Sequence, residues 1–396
     1  MKKKRNIIAA LTAFLILGTG SANAIWGLDS VHSAAGEKII SALTVDLSGL
    51  KYHTVPVEVV APLDNLSAKS EDPEAEIRSS TLEPLVDFVL SNAYADLAFE
   101  LPCSNGVFGA MALGVLTNKF EERKELCAPL LPDHAVYSTL RFSKELTDRG
   151  GKIYGGMFSA DEGVLTRDYS RNFDIISPNE TSGAYYSYTN TRIYVQGKIK
   201  GRRVMFTGTL MKAPSSVSQK GALIDTKYPG LYFYSSEKGI TIPGGGWMET
   251  TMDYYRAFTI SVEIDENRFA FANLSWLSAG WKGINVLRTH HIYAVLKEII
   301  AELQTYGGKG LAIDKLLECV AKCDSLTEAE INESYKKYCD FCEKNAGLSF
   351  AGIGASSYSR IFNKKDLDVP MELRRAVVLQ EMVRTLKGKP SWSQAE

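Results

Sequence analysis

The sequence predicts an α+β protein in which an antiparallel sheet of about eight strands is closed by one long helix. The clearest strand is 258–264, where apolar and polar residues alternate without interruption. A polar turn at 265–268 and a second alternating run at 269–272 complete a hairpin. The helix follows, because apolar residues recur at helical spacing from about residue 284 to 303. Short runs rich in Tyr, Thr and Gly from residue 152 onward supply the remaining strands.

The first 24 residues predict a secretory signal peptide that is not part of the fold. Residues 1–5 are basic, residues 7–17 are apolar, and residues 22–24 read Ala-Asn-Ala, which fits an A-x-A cleavage site. The mature chain then begins at Ile25, and we expect a periplasmic or secreted protein. No later stretch stays apolar over about 18 residues, so no transmembrane segment is expected after cleavage.

The charge of the chain argues against a nucleic-acid partner. The leader holds 4 of the 45 basic residues and none of the 46 acidic ones, so the remaining 372 residues carry a net charge of −5. Domains that bind nucleic acids usually have an excess of Lys and Arg instead. The length suffices for about two domains with a substantial core.

Residues 25–150 are predicted to form a mainly helical N-terminal segment. The stretch 55–60 is the exception and predicts an edge strand, because Pro56 has no N–H to donate to a neighbouring strand. A capping box at 80–83 opens a predicted helix. A second helical run is predicted over 107–126.

Gly114 lies within the predicted helix over 107–126. A straight helix would hold Cys103 and Cys127 about 30 Å apart, too far for a disulfide. We therefore expect a break at Gly114, or no bond between these two cysteines.

Residues 151–306 are predicted to form the sheet and the long helix, which runs from Ile284 to Gln304. The return arm of the hairpin changes phase at Asn273, where Leu274 and the residues after it become the apolar positions. A shift of one residue moves side chains to the other face, so we expect a bulge near Asn273.

Residues 307–396 are predicted to form a helical region that contains most of the cysteines. Helices are expected from residue 311, from a capping box at 327–330, and from residue 370. The six cysteines of the chain are Cys103, Cys127, Cys319, Cys323, Cys339 and Cys342.

An even number of cysteines behind a signal peptide favours disulfides, although six cysteines permit 15 pairings. Cys319 and Cys323 share one helical face, as do Cys339 and Cys342, so two bridges could join two antiparallel helices. The alternatives are a four-cysteine zinc site, which export disfavours, and a redox-active C-x-x-C pair. We predict disulfides and no metal site.

Five residues near the hairpin are predicted to bind a ligand. Arg288 falls close to the apolar stripe of the long helix, where it could anchor a carboxylate or phosphate. His291 lies at the edge of the same stripe. Tryptophans in the two glycine-rich loops beside the hairpin could form the rim of a pocket, and these are Trp247, Trp276 and Trp281.

The sequence contains none of the catalytic motifs considered, such as G-x-S-x-G, H-E-x-x-H or a phosphate-binding loop. We predict no catalytic residues and no cofactor, and enzyme activity is not favoured. The order of strands and long helix resembles the helix-grip architecture, which often encloses an apolar cavity. The expected function is binding of an apolar or amphipathic anionic ligand, such as a lipid-like molecule, between sheet and helix. The alternative is a structural or assembly protein of the bacterial cell envelope, with an envelope protein as partner.

Overall fold

The computed structural model describes thirteen ranges of the chain: 50–72, 76–104, 106–117, 165–176, 184–223, 232–242, 246–281, 284–285, 287–306, 313–345, 369–386, residue 388 and 392–394. The predicted signal peptide and Cys127 lie outside these residues. The described part is mixed α and β with a mostly antiparallel sheet, as predicted.

The strands of the described ranges are β1 (Tyr52–Thr54), β2 (Ala98–Glu100), β3 (Phe108–Leu116), β4 (Thr166–Ile176), β5 (Ala184–Ile199), β6 (Arg202–Met211), β7 (Gln219–Leu223), β8 (Tyr232–Lys238), β9 (Ile240–Ile242), β10 (Gly246–Met248), β11 (Thr251–Asp265), β12 (Arg268–Trp281) and β13 (Ile284–Asn285). The main sheet has the order β1-β2-β3-β12-β11-β6-β5-β7-β8, with β4 paired to β5 and β13 to β12. Only the β1–β2 pair of this sheet is parallel. The hairpin β11–β12 therefore lies in its middle.

The helices of the described ranges are α1 (Val57–Ala68), α2 (Ser79–Asn92), α3 (Thr289–Tyr306), α4 (Ile313–Asp324), α5 (Glu328–Asn345) and α6 (Met371–Leu386). Helices α1 and α2 pack on one face of the sheet, with Leu63 and Leu85 fully buried. Helix α3 packs on the opposite face, mainly against β3 and β12. Both faces are thus covered, and the long helix does not close the sheet alone.

The predicted helix over 107–126 is wrong in its first half, because Phe108–Leu116 is strand β3. This stretch is a nearly continuous apolar run buried on both faces, and periodicity cannot distinguish such a strand from a buried helix. Gly114 marks a close contact rather than a helix break. A Cβ atom added there would lie 2.6 Å from Cγ2 of Ile300, so the glycine lets α3 approach the sheet.

The predicted edge strand at 55–60 is also wrong, because α1 begins at Val57. Pro56 stands just before the first turn of the helix, a position where its missing N–H costs nothing. Together with β3, this changes the picture of the N-terminal segment: its described residues contribute two helices and three strands to the same layered structure.

The bulge predicted near Asn273 is absent from the described pairing of β11 with β12. Phe258 pairs with Leu274, and Thr259 pairs with Asn273, in an unbroken register; the shifts lie between Met252 and Tyr254 and near the turn. Strand β12 is buried on both faces, so Leu274 packs towards α1 and α2 while Phe271 packs towards α3. The apparent change of phase reflects two apolar faces in one regular strand.

Helices α4, α5 and α6 form a separate core beside β8. Helix α6 packs against both α4 and α5, and their shared core includes Val320, Tyr338 and Leu379. The hydroxyl of Tyr335 on α5 donates a hydrogen bond to the carbonyl of Tyr234 on β8, at 3.4 Å. The C-terminal helices are thereby attached to the sheet.

Candidate functional site

Arg288 does not point into the protein, so its prediction as a buried anchor is wrong. The residue is exposed, and its Nη1 donates to the backbone carbonyl of Leu287 at 2.7 Å. Its guanidinium lies over the ring of Phe108, 4.9 Å from the centroid. Helix α3 begins at Thr289, five residues later than predicted. Arg288 therefore precedes the helix and does not share its apolar stripe.

Trp276, a predicted rim residue whose side chain is described, does not lie on the same face of the sheet as Arg288. Trp276 is buried on the opposite face of the sheet, towards α1 and α2, and its Nε1 donates to the carbonyl of Pro102 at 3.1 Å. Trp247 and Trp281 occupy strands β10 and β12, and their side chains lie outside the described residues. The predicted aromatic rim beside Arg288 is therefore not formed by Trp276.

His291 is half-buried in the first turn of α3. Burial, together with the nearby charges of His290 and Arg288, lowers the pKa of His291 to about 3. The imidazole is therefore neutral at physiological pH. Its Nδ1 is buried without a hydrogen-bond partner in the described part of the chain. A neutral ring gives no charge with which to hold an anion.

Arg256 on β11 is an arginine that does lie in an apolar setting. Arg256 lies two residues before Phe258, so its side chain points to the same face of the sheet as Phe258, Ile260 and Val262. This is the face that α1 covers. Its side chain is only 11% exposed, and Nη1 pairs with the carboxylate of Asp64 on α1. Arg256 thus carries a positive charge into the layer between the sheet and α1.

Two aromatic rings pack against this guanidinium. Its Cζ lies over the ring of Trp276, 4.4 Å from the centroid, and 5.2 Å from the centroid of Phe258. The two rings meet edge to face, with centroids 6.5 Å apart. Contacts of this kind favour a cation over the face of an aromatic ring, so they hold the guanidinium in place.

The remaining edge of the Arg256 guanidinium has no partner. Nε and Nη2 are buried and make no hydrogen bond to any of the residues that the structure describes. These two nitrogens direct parallel N–H groups along one edge, the arrangement that binds two oxygens of a carboxylate or phosphate. A buried donor without a partner is costly, and more so when it is charged. The Nε–Nη2 edge therefore has the donors that an anion requires, although it is closed to solvent in this conformation.

The sheet register shows what surrounds this edge. Arg256 pairs with Leu210 of β6 on one side and with Trp276 of β12 on the other. The row continues to Thr191 of β5 and to Gly109 of β3. Thr191 donates to Glu71, just after α1, so the C-terminal end of that helix lies above this row.

Cys103 lies beside the same row. A Cβ atom added at Gly109 would lie 2.9 Å from Cδ1 of Trp276 and 3.0 Å from Sγ of Cys103, so the glycine lets both side chains approach. Sγ of Cys103 donates to the carbonyl of Leu101 at 3.0 Å. Cys103 and Trp276 therefore lie on either side of the same glycine.

The predicted disulfides are not formed among the five described cysteines. Helix α6 packs against both α4 and α5, and Sγ of Cys323 accordingly faces the carbonyl of Arg375 on α6, at 3.6 Å. Cys342 is fully buried in the core of the three helices, and burial raises the pKa of its thiol well above the ordinary value. These surroundings make it an unreactive core residue.

Alkylation of Cys103 should be slow at neutral pH and should accelerate strongly in alkaline solution. Partial burial of the Cys103 thiol, together with the charge of Glu100, raises its pKa to about 11. The thiolate is the reactive form, so its fraction at pH 8 is on the order of 10⁻³ and rises about tenfold per pH unit up to the pKa. Mass spectrometry of the iodoacetamide-treated native protein measures this. A rate that levels off near pH 9 would contradict the raised pKa.

No described cluster of His, Cys, Asp or Glu is arranged to hold a metal ion. The described helices are also too short or too polar to cross a membrane. Comparison with known protein families and with curated proteins yields no match.

The arginine was missed because the predicted strand began too late. The alternation was taken to start at Phe258, whereas β11 begins at Thr251. Extending the inward-facing positions by two residues places Arg256 on the apolar face, a position where a charged residue is unusual. A charged residue among the inward-facing apolar positions of the strand is the sequence feature that could have identified this site. Its partners, Asp64 and Trp276, are far away in sequence and could not be inferred from it.

Proposed function

We propose that this protein is an exported, non-catalytic binding protein that holds an anionic amphipathic ligand at Arg256. The observation that carries this proposal is the buried Nε–Nη2 edge of Arg256, which has no hydrogen-bond partner among the described residues. The basic, apolar and A-x-A parts of residues 1–24 support export. The binding site is thus placed on the face of the sheet covered by α1 and not on the face covered by α3.

The ion pair and the two ring contacts favour the guanidinium, but they are a weak reason for burying a charged residue at this position. Replacing buried charged groups by apolar residues of similar size is often neutral or stabilising, because the desolvation cost disappears. Asp64 is 68% exposed, so it offsets the charge of Arg256 only partly. An anion that occupied the free edge would satisfy both remaining nitrogens. A residue kept at a cost to stability is more easily explained by binding than by folding.

The surroundings favour a ligand with an apolar part. Leu210, Phe258 and Trp276 are buried next to the guanidinium and present carbon atoms rather than hydrogen-bonding groups. Pockets that combine an apolar lining with a few polar groups are typical of small-molecule sites. A carboxylate or phosphate joined to a hydrocarbon chain meets both requirements.

Arg256→Met should weaken binding of such an anion by about ten- to a hundredfold, the range expected for hydrogen bonds to a charged group. Calorimetric titration with dodecanoate, dodecyl phosphate and uncharged dodecanol, each kept below micelle formation, measures this. The wild-type protein should bind one or both anions and prefer them to dodecanol. The matched control is Arg288→Met, which removes an exposed arginine and should leave binding unchanged.

Stability measurements on the same variants separate binding from folding. Arg256→Met should keep the wild-type free energy of unfolding or exceed it, because methionine fills the space of the arginine stem without a charge. If this variant loses stability while the wild-type protein binds none of the three compounds, Arg256 is a structural residue. Assembly of the cell envelope then becomes the better proposal for the function.

A further inference from the structure

The free edge of Arg256 cannot be reached in the conformation that the structure shows. Nε and Nη2 are both inaccessible to solvent, and neither has a hydrogen-bond partner among the residues that the structure describes. A ligand oxygen must approach to about 3 Å to form a hydrogen bond. Some element packed around Arg256 must therefore move before an anion can bind.

Helix α1 is the element best suited to move. It contacts Arg256 directly through Asp64, whose carboxylate pairs with Nη1. Pro62 inside the helix removes one of its internal hydrogen bonds, and no side chain caps its N-terminus. The strands beneath are held by hydrogen-bonded ladders on both sides of β11. A shift of α1 therefore disturbs fewer hydrogen bonds than a shift of the sheet.

Two of the polar attachments between the α1 segment and the sheet lie over this site. The first is the pair of Asp64 with Arg256. The second is Glu71, which accepts from Thr191 and pairs with Nζ of Lys212 at 3.1 Å. Ion pairs with one well-exposed partner are weak, so thermal motion can break them without unfolding the protein.

On the basis of the proposed function, we infer that α1 is a lid over Arg256 and that the ion pair between Asp64 and Arg256 holds this lid closed. In the closed state Asp64 partly neutralises the guanidinium and holds the helix against the sheet. An entering carboxylate or phosphate takes up the free edge of the same guanidinium, so the two anions share one positive charge. Asp64 therefore slows entry of the ligand and lowers its affinity, because the competent state is only partly populated.

Asp64→Asn should speed the association of dodecanoate about two- to fivefold, the factor that corresponds to loss of one exposed ion pair. The asparagine keeps the shape of the side chain and removes its charge. Stopped-flow tryptophan fluorescence on the mature full-length chain measures the rate. Glu71→Gln should also accelerate association, because it loosens the second attachment and leaves the charge of Arg256 untouched.

The control for the lid is Asp96→Asn. Asp96 is likewise an exposed carboxylate, 84% exposed, but it pairs with Lys297 on α3, on the other side of the sheet. This variant should bind dodecanoate at the wild-type rate. Unchanged or slower association in both Asp64→Asn and Glu71→Gln would overturn the lid.

Different results would contradict the proposed function and the lid. If the wild-type protein binds neither dodecanoate nor dodecyl phosphate, or if Arg256→Met binds them equally well, the proposed function itself is wrong. If Arg256 is needed for binding and the Asp64 and Glu71 variants associate at the wild-type rate, only the lid is wrong. Faster association in both variants with no change in Asp96→Asn supports the lid.

Discussion

Phe258→Ala should lower the free energy of unfolding by about 3–5 kcal/mol, the range measured for truncation of buried phenylalanines. Phe258 is 1% exposed and lies on β11, in the middle of the sheet. The lack of a side chain at Gly208 makes room for its ring, because a Cβ atom at Gly208 would lie 2.6 Å from Cε1 of Phe258. The edge-to-face contact with Trp276 adds to the loss. Urea unfolding of the purified protein measures the effect.

The control for this variant is Glu266→Ala, in the exposed turn between β11 and β12. It should change the free energy of unfolding by no more than about 0.5 kcal/mol, as surface substitutions usually do. A loss below about 1 kcal/mol in Phe258→Ala would mean that the layer between the sheet and α1 is not tightly packed. The same truncation removes one of the rings around Arg256, so it should also weaken binding of dodecanoate.

The elements that the sequence predicted correctly are those specified by local features, such as a polar turn or a helix cap. The hairpin β11–β12 was found because the polar turn and the alternation before it are both local features. Helix α5 was found from the capping box at Thr327 and Glu330, and both reciprocal bonds form: the backbone N–H of Thr327 donates to Glu330 at 2.7 Å, and that of Glu330 to Thr327 at 3.3 Å. Such signals need no distant partner.

Elements that depend on distant partners were predicted wrongly. The sequence pattern of strand β3 predicts a helix, because both faces are apolar and the alternation that marks a half-buried strand is missing. It becomes a strand because β12, about 160 residues later, pairs with it. Helix α1 was taken as a strand, and four apolar residues, including Leu63 and Leu66, bury it against α2 and the sheet. Tertiary contacts decide the structure in both cases.

The candidate site was misplaced for a related reason. Arg288 was placed on a helix that begins only at Thr289, so an error of a few residues in the helix start changed an exposed residue into a buried one. Arg256 was hidden by the opposite error, a strand start placed seven residues too late. Boundaries are the least reliable part of a sequence-based assignment, and charged residues near element ends are the most affected.

Leu296→Ala should lower the free energy of unfolding by about 2–5 kcal/mol, because it removes a leucine from the contact of α3 with β3 and β12. Leu296 is 5% exposed, whereas the neighbouring Lys297 points outward and pairs with the exposed Asp96. Lys297→Ala is therefore the matched control, with an expected loss of at most about 1 kcal/mol. Urea unfolding of both variants compares them directly. Equal, small losses would mean that α3 does not pack on the sheet, whereas a large loss in Leu296→Ala alone assigns the stabilising role to its apolar stripe.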